Sequence, residues 1–245
     1  MKSPRVLICA TVAAAALFAL AGCSGSSADP APSSLETAGT PSPASPTASA
    51  TPAKAYTAEQ LSAVIPTIVD STGTPYTRVP TELLDQGLAA LKTQMASMQV
   101  APAECRDLAL QNSNLPEGSI LATGNSAADK SALTVLSAQD PAVLTKYLAD
   151  VESGSKTCSN FTVIAGGQEI KAAVTALDVK TSAAKSTASL VVQTLPTGNT
   201  VSILAVTGVK DNVLVTAAAT GVVLQASDSP GLVRVVDEYF AKLDS

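Results

Sequence analysis

Two serine–lysine pairs have the spacing that could support covalent catalysis. Ser153-Gly-Ser-Lys156 and Ser182-Ala-Ala-Lys185 both fit Ser-x-x-Lys, a pattern that on a helix sets a lysine amine beside a nucleophilic serine. Neither has that setting: Ser153 falls at the end of an expected helix, and Ser182 lies between expected strands. The chain has no histidine. That removes the side chain that titrates near neutrality, and with it Ser-His-Asp, Cys-His and imidazole–zinc chemistry as usually built. No stretch matches a glycine-rich phosphate loop or a calcium loop. Glu152, Glu169 and Asp178 are scattered carboxylates, read as solvated surface groups. The sequence is therefore read as no enzyme, with no metal and no cofactor.

The four cysteines, Cys9, Cys23, Cys105 and Cys158, carry the remaining chemistry. Lys2 and Arg5 precede an uncharged apolar run from Val6 to Leu20, and Leu20-Ala21-Gly22-Cys23 follows. The run suits the core of a signal peptide and is short for a membrane-spanning helix. The site resembles the lipobox of bacterial lipoproteins, whose cysteine thiol takes a diacylglyceryl group and whose leader is cut just before it. On that resemblance residues 1–22 are a lipoprotein signal peptide and Cys23 is the lipid-attachment site. The mature chain is then expected on the outer face of the cytoplasmic membrane, with the membrane as partner through the lipid anchor. Two acyl chains hold stably where one is marginal.

Cys9 leaves with the leader. Cys105 and Cys158 stay in an oxidising compartment, where pairing is expected. The bridge would close a loop of about 54 residues. A redox pair would call for a C-x-x-C spacing, which is absent.

Residues 23–54 are rich in Ser, Thr, Pro and Ala with almost no large apolar side chain. Such a stretch cannot bury enough surface to offset its ordering entropy, and it reads as a disordered tether. Residues 55–245 make the folded domain. The whole chain is 46% hydrophobic, 3% aromatic and 14% charged, with a net charge of -5. An acidic chain without clustered Lys/Arg is no nucleic-acid binder, and it lacks a polybasic patch for anionic lipids.

Hydrophobic periodicity lays out the domain. Thr57-Ala-Glu-Gln60 is a capping box opening a short helix that Pro66 ends. Residues 81–98 form a second helix, whose Leu84, Leu88, Leu91, Met95 and Met98 make one apolar stripe read as core. Pro102 opens a short helix carrying Cys105. Strands are expected at 119–123 and 131–137. Asp140-Pro141 then caps a helix whose buried face is Val143, Leu144, Tyr147, Leu148 and Val151, stopped by Gly154. Strands follow at 161–165, 168–177, 187–195, 200–207 and 212–220. Gly166-Gly167 gives a two-residue hairpin turn. In strand 168–177, apolar Ile170, Ala172, Val174 and Ala176 alternate with a wetter set. A last helix follows Ser229-Pro230. This order predicts one α+β domain, an antiparallel six- or seven-stranded sheet with helices packed on one face.

Several of these features recur in order: the tethered lipobox, Tyr56-Thr-Ala-Glu-Gln-Leu61, Pro102-Ala-Glu-Cys105, Cys158 just before a strand, the late meander, and Phe240-Ala-Lys-Leu243. Together they resemble actinobacterial sensor-domain lipoproteins, similar to the extracellular domain of PknH-type serine/threonine kinases. The resemblance implies an α+β domain with a cleft and a ligand-sensing role, and it carries the Cys105–Cys158 pairing. The kinase-type sensors have a second disulfide for which this chain has no cysteines. The expected function is a membrane-anchored extracytoplasmic lipoprotein with a non-catalytic domain. Its partner would be a small molecule, a wall fragment or an envelope protein. The alternative is a lipid or glycolipid carrier of the cell envelope.

Overall fold

The computed structural model describes residues 56–111 and 115–245. The segment 1–22, Cys23 and the tether 23–54 lie outside the described residues.

The chain opens with α1 (Ala58–Val64), capped by the expected box: the Gln60 amide donates to Thr57 Oγ1 at 3.2 Å, and the Thr57 amide to Gln60 Oε1 at 2.9 Å. A 3-10 turn at Ile65–Thr67, with Pro66 in it, ends the helix. β1 (Thr77–Arg78) leads to α2 (Thr81–Ala96), β2 (Gln99–Ala101), a 3-10 turn at Ala103–Cys105 and α3 (Arg106–Gln111). The hairpin β3 (Ile120–Ser126) and β4 (Ser131–Ser137) precedes α4 (Pro141–Thr157). Then come β5 (Asn160–Ala165), β6 (Gln168–Leu177), β7 (Lys185–Thr194), β8 (Thr200–Lys210), β9 (Val213–Gly221) and α5 (Ser229–Leu243).

All the strands join one antiparallel sheet in the order β1-β3-β4-β9-β8-β7-β6-β5-β2. Among the described residues the sheet therefore has nine strands, not six or seven. The two extra ones, β1 and β2, are two and three residues long and sit at the outer edges. Such short pieces have no room to display a period of two. α2, about 24 Å of helix at 1.5 Å per residue, lies in the connection between these two edge strands.

Helices pack on both faces, not one. Leu133 and Val135 of β4 belong to a core with α1 and α5, through Leu61, Leu232, Val235, Val236, Tyr239 and Phe240. Their neighbour Leu136 belongs to a separate core with Leu144 and Leu148 of α4. Successive residues of a strand face opposite ways, so these cores lie on opposite sides of the sheet. β9 divides likewise, with Val213, Val215 and Ala217 on one side and Leu214 on the other. The sequence of β4, Leu133-Thr-Val-Leu136, is a nearly continuous apolar run, as a strand covered on both faces requires. β6 keeps the expected alternation in its middle, with Ala172 and Val174 buried and Lys171, Ala173 and Thr175 exposed, but Ala176, expected on the buried side, is exposed.

Gly154 does not stop α4, which continues to Thr157. Its role is close packing. A Cβ at Gly154 would meet Leu108 Cδ1 of α3 at 3.1 Å.

Candidate functional site

A groove of about 350 Å3 opens where α1, the first turns of α2 and the segment leading into β3 meet. Leu84 and Leu88 come from α2, Leu115 and Leu121 from the other side. All four leucines are half-buried. Ala58, Thr81, Pro116 and Gly118 complete the wall, and exposed Asp85 and Glu117 stand at its rim.

The α2 stripe explains the geometry. Its C-terminal part is core, with Met95 and Met98 buried against Leu91, Leu110, Val163 and Ala165. In its N-terminal part Leu84 and Leu88 line the groove instead. A stripe read wholly as core is thus half core and half groove wall. Periodicity finds the apolar face of a helix but does not say what lies opposite it.

Ser119 also lines the groove. Its Oγ is shut off from solvent and has no hydrogen-bond partner among the described residues. Buried polar atoms are nearly always paired, so each exception needs a reason.

A second polar cluster ties the turn before β1 to the β3–β4 hairpin and α5. Asp70 is buried. Its Oδ1 accepts the Thr72 and Thr74 amides at 2.8 Å each and the Thr72 hydroxyl at 2.7 Å, while Oδ2 accepts Ser126 Oγ at 2.6 Å. Burial pushes the Asp70 carboxyl up, but these hydrogen bonds outweigh it and hold the pKa at about 2. Asp129 takes the Ser71 amide and hydroxyl and the Ser131 hydroxyl. Tyr76 pairs with Ser131 at 2.8 Å. Burial, chiefly, raises the Tyr76 phenol to about 12. Every one of these side chains is partnered within the fold, which marks a structural latch.

The serine–lysine strings lie apart from the groove. Ser153 and Lys156 sit in the last turns of α4, where Lys156 pairs with Glu152 at 2.6 Å. Ser182 lies between β6 and β7, where its amide donates to Asp237 at 2.6 Å, and Lys185 begins β7. Cys105 and Cys158 are bonded to each other and buried, joining the turn before α3 to the C-terminus of α4. Among the described residues no group of three or more His, Cys, Asp or Glu could hold a metal, and no helix is long and apolar enough to cross a membrane.

No family model matches the chain, and no curated protein matches it. Among solved structures it is similar to the extracellular domain of PknH from Mycobacterium tuberculosis, at 16% identity and a TM-score of 0.44, over 59% of this chain and 78% of that one. It is also similar to a putative uncharacterized protein, the Rv0999 ortholog, from Mycobacterium smegmatis. That match has 13% identity and a TM-score of 0.41, over 70% of this chain and 86% of the other.

Proposed function

We propose that this chain is a membrane-anchored extracytoplasmic lipoprotein whose α+β domain binds a small apolar ligand without chemically changing it. The observation that carries the binding reading is the groove between α1, α2 and β3. Four half-buried leucines from separate segments converge there, and its volume of about 350 Å3 falls in the ~300–1,000 Å3 range of small-molecule sites. A volume at the low end suits one chain or ring better than a two-chain lipid. Burying leucine surface that is now half-exposed supplies the driving force, at roughly 25 cal/mol per Å2. The anchoring reading rests on Lys2, Arg5, the apolar run and Leu20-Ala-Gly-Cys23.

Two measurements test the two halves. Native mass spectrometry of the mature protein from its own envelope is expected to show a bound small molecule that Leu88→Asp abolishes. A clean unliganded mass, with the variant indistinguishable, would remove the binding reading. Metabolic labelling with a radioactive fatty acid is expected to mark the wild type and not Cys23→Ser. Label retained in that variant would remove the anchor assignment.

A further inference from the structure

α2 has a strong half and a weak half, and the weak half is a wall of the groove. We infer that its first two turns, residues 81–87, form a strap that unwinds and rewinds on its own, hinged at Gly87, while residues 88–96 stay helical. The inference concerns the wall itself and holds whatever the groove binds.

Residues 81–87 lack what begins and holds a helix. At the start, Pro80 stands in the capping position and gives the first amides no side-chain hydrogen bond, whereas Thr57 and Asp140 cap α1 and α4. At the far end, Gly87 lies exposed in the helix interior, where glycine is the weakest helix former after proline. Nothing stands within 4 Å of the place its Cβ would take, so close packing does not call for glycine there. Its contribution is a weak point in the helix. Between these ends, no side chain of residues 81–87 makes a hydrogen bond or ion pair among the described residues. Leu83 is 57% exposed, and Leu84 joins none of the hydrophobic cores among the described residues.

Both ends of the strap are held. The Val79 amide donates to the Thr123 carbonyl of β3 at 2.9 Å. Beyond the strap, Leu91 and Met95 pack with Met98, Leu110, Val163 and Ala165. The Thr93 hydroxyl donates to the Ala89 carbonyl at 3.2 Å, and the Arg106 guanidinium to the Met98 carbonyl at 3.3 Å. An extended residue spans about twice the length of a helical one. Unwinding between fixed ends therefore creates slack, which bulges into solvent and carries Leu84 away from Leu115 and Leu121. Local openings of this kind are drawn from the least stable part of a fold.

Amide hydrogen exchange by NMR on residues 23–245, with Cys23→Ser and the disulfide intact, tests the inference. Residues 85–88 of α2 and 145–148 of α4 hold the same places from the helix start, so ordinary end fraying cancels. Relative to unstructured rates, amides 85–88 are expected to exchange about 25-fold faster than 145–148, about 5-fold for the missing cap and about 5-fold for the glycine. They should also exchange faster than amides 93–96 of the same helix. Gly87→Ala, for which there is room, should slow 85–88 about 5-fold and leave 93–96 unchanged. Pro80→Ser, which supplies a cap, should slow 85–88 by a similar factor. Equal protection at 85–88 and 145–148 would overturn the strap. So would 93–96 exchanging as fast as 85–88, since the whole helix would then open as one. If Gly87→Ala slows both halves alike, or neither, the hinge is not at Gly87 and the proposal fails.

Discussion

The Arg234 guanidinium of α5 donates to the main-chain carbonyl of Asp70 at 2.7 Å. The same nitrogen reaches the Val69 carbonyl at 3.1 Å, and Arg234 also pairs with Glu238 at 2.9 Å. Residues more than 160 positions apart are thus joined directly. The Asp70 turn is held from behind by α5 and from the front by Ser126 of β3.

Acid should loosen this latch. The Asp70 carboxyl sits at about 2 in the folded protein, below its ordinary 3.8. A depressed pKa means the charged form stabilises the fold. That contribution is complete above the unfolded pKa and is lost as pH falls through about 2. Asp70→Asn is expected to cost about 2 kcal/mol at pH 7 by weakening several charge-assisted hydrogen bonds. Urea denaturation at pH 7, 4 and 2.5 should show wild type and variant converging toward the acid end. A constant gap would contradict the assignment.

The disulfide should contribute heavily to stability. Cys105 and Cys158 are 53 residues apart, and closing a loop of that length in the unfolded chain is worth about 4 kcal/mol in the chain-entropy model. The Cys105→Ser, Cys158→Ser double variant is expected to lower the urea midpoint accordingly. Loss of less than about 1 kcal/mol would mean that native strain or unfolded-state structure cancels the constraint.

Gly124 should resist substitution. A Cβ there would meet Ile65 Cγ2 at 2.3 Å and the Thr77 carbonyl at 3.3 Å, because the turn after α1 lies directly on β3. Gly124→Ala is expected to cost about 2 kcal/mol through overpacking. A variant as stable as wild type in thermal denaturation would show that Ile65 can move aside.

Ser119→Ala should behave in the opposite way. Removing a buried hydroxyl without a partner removes a desolvation penalty, so the unliganded protein should gain about 1 kcal/mol or stay neutral. Ser131→Ala, which breaks contacts to Tyr76 and Asp129, should lose stability in the same assay. If both variants destabilise equally, Ser119 has a partner in solution.

Much of the fold was legible in the sequence because local chemistry fixed it. The Thr57–Gln60 box and the Asp140 cap start α1 and α4 through their side chains, and Pro230 stands in the first turn of α5, where a proline is tolerated. The turn at Gly166-Gly167 has φ of +56° and +77°, a conformation that glycine adopts without strain. Edge strands β1 and β2 escaped notice because their pairing is decided by distant partners, Gly124–Asn125 and Thr162–Ile164. Coverage on both faces shows in the nearly continuous apolar run of β4, interrupted only by Thr134, but the wetter face of β6 pointed to one covered side. The groove was legible only in part. Leu84 and Leu88 belong to the α2 stripe, whereas Leu115 and Glu117 come from a stretch with no periodicity and Ser119 from the first position of an expected strand. Only the fold brings the two sets together.

The blunt edges of the sheet also bear on how the domain can meet a partner. At two and three residues, β1 and β2 each offer too short a row of free amides and carbonyls for a foreign strand to zip onto. Pairing on β1 or β2 themselves is held to two or three residues, which works against edge-to-edge stacking of neighbouring copies.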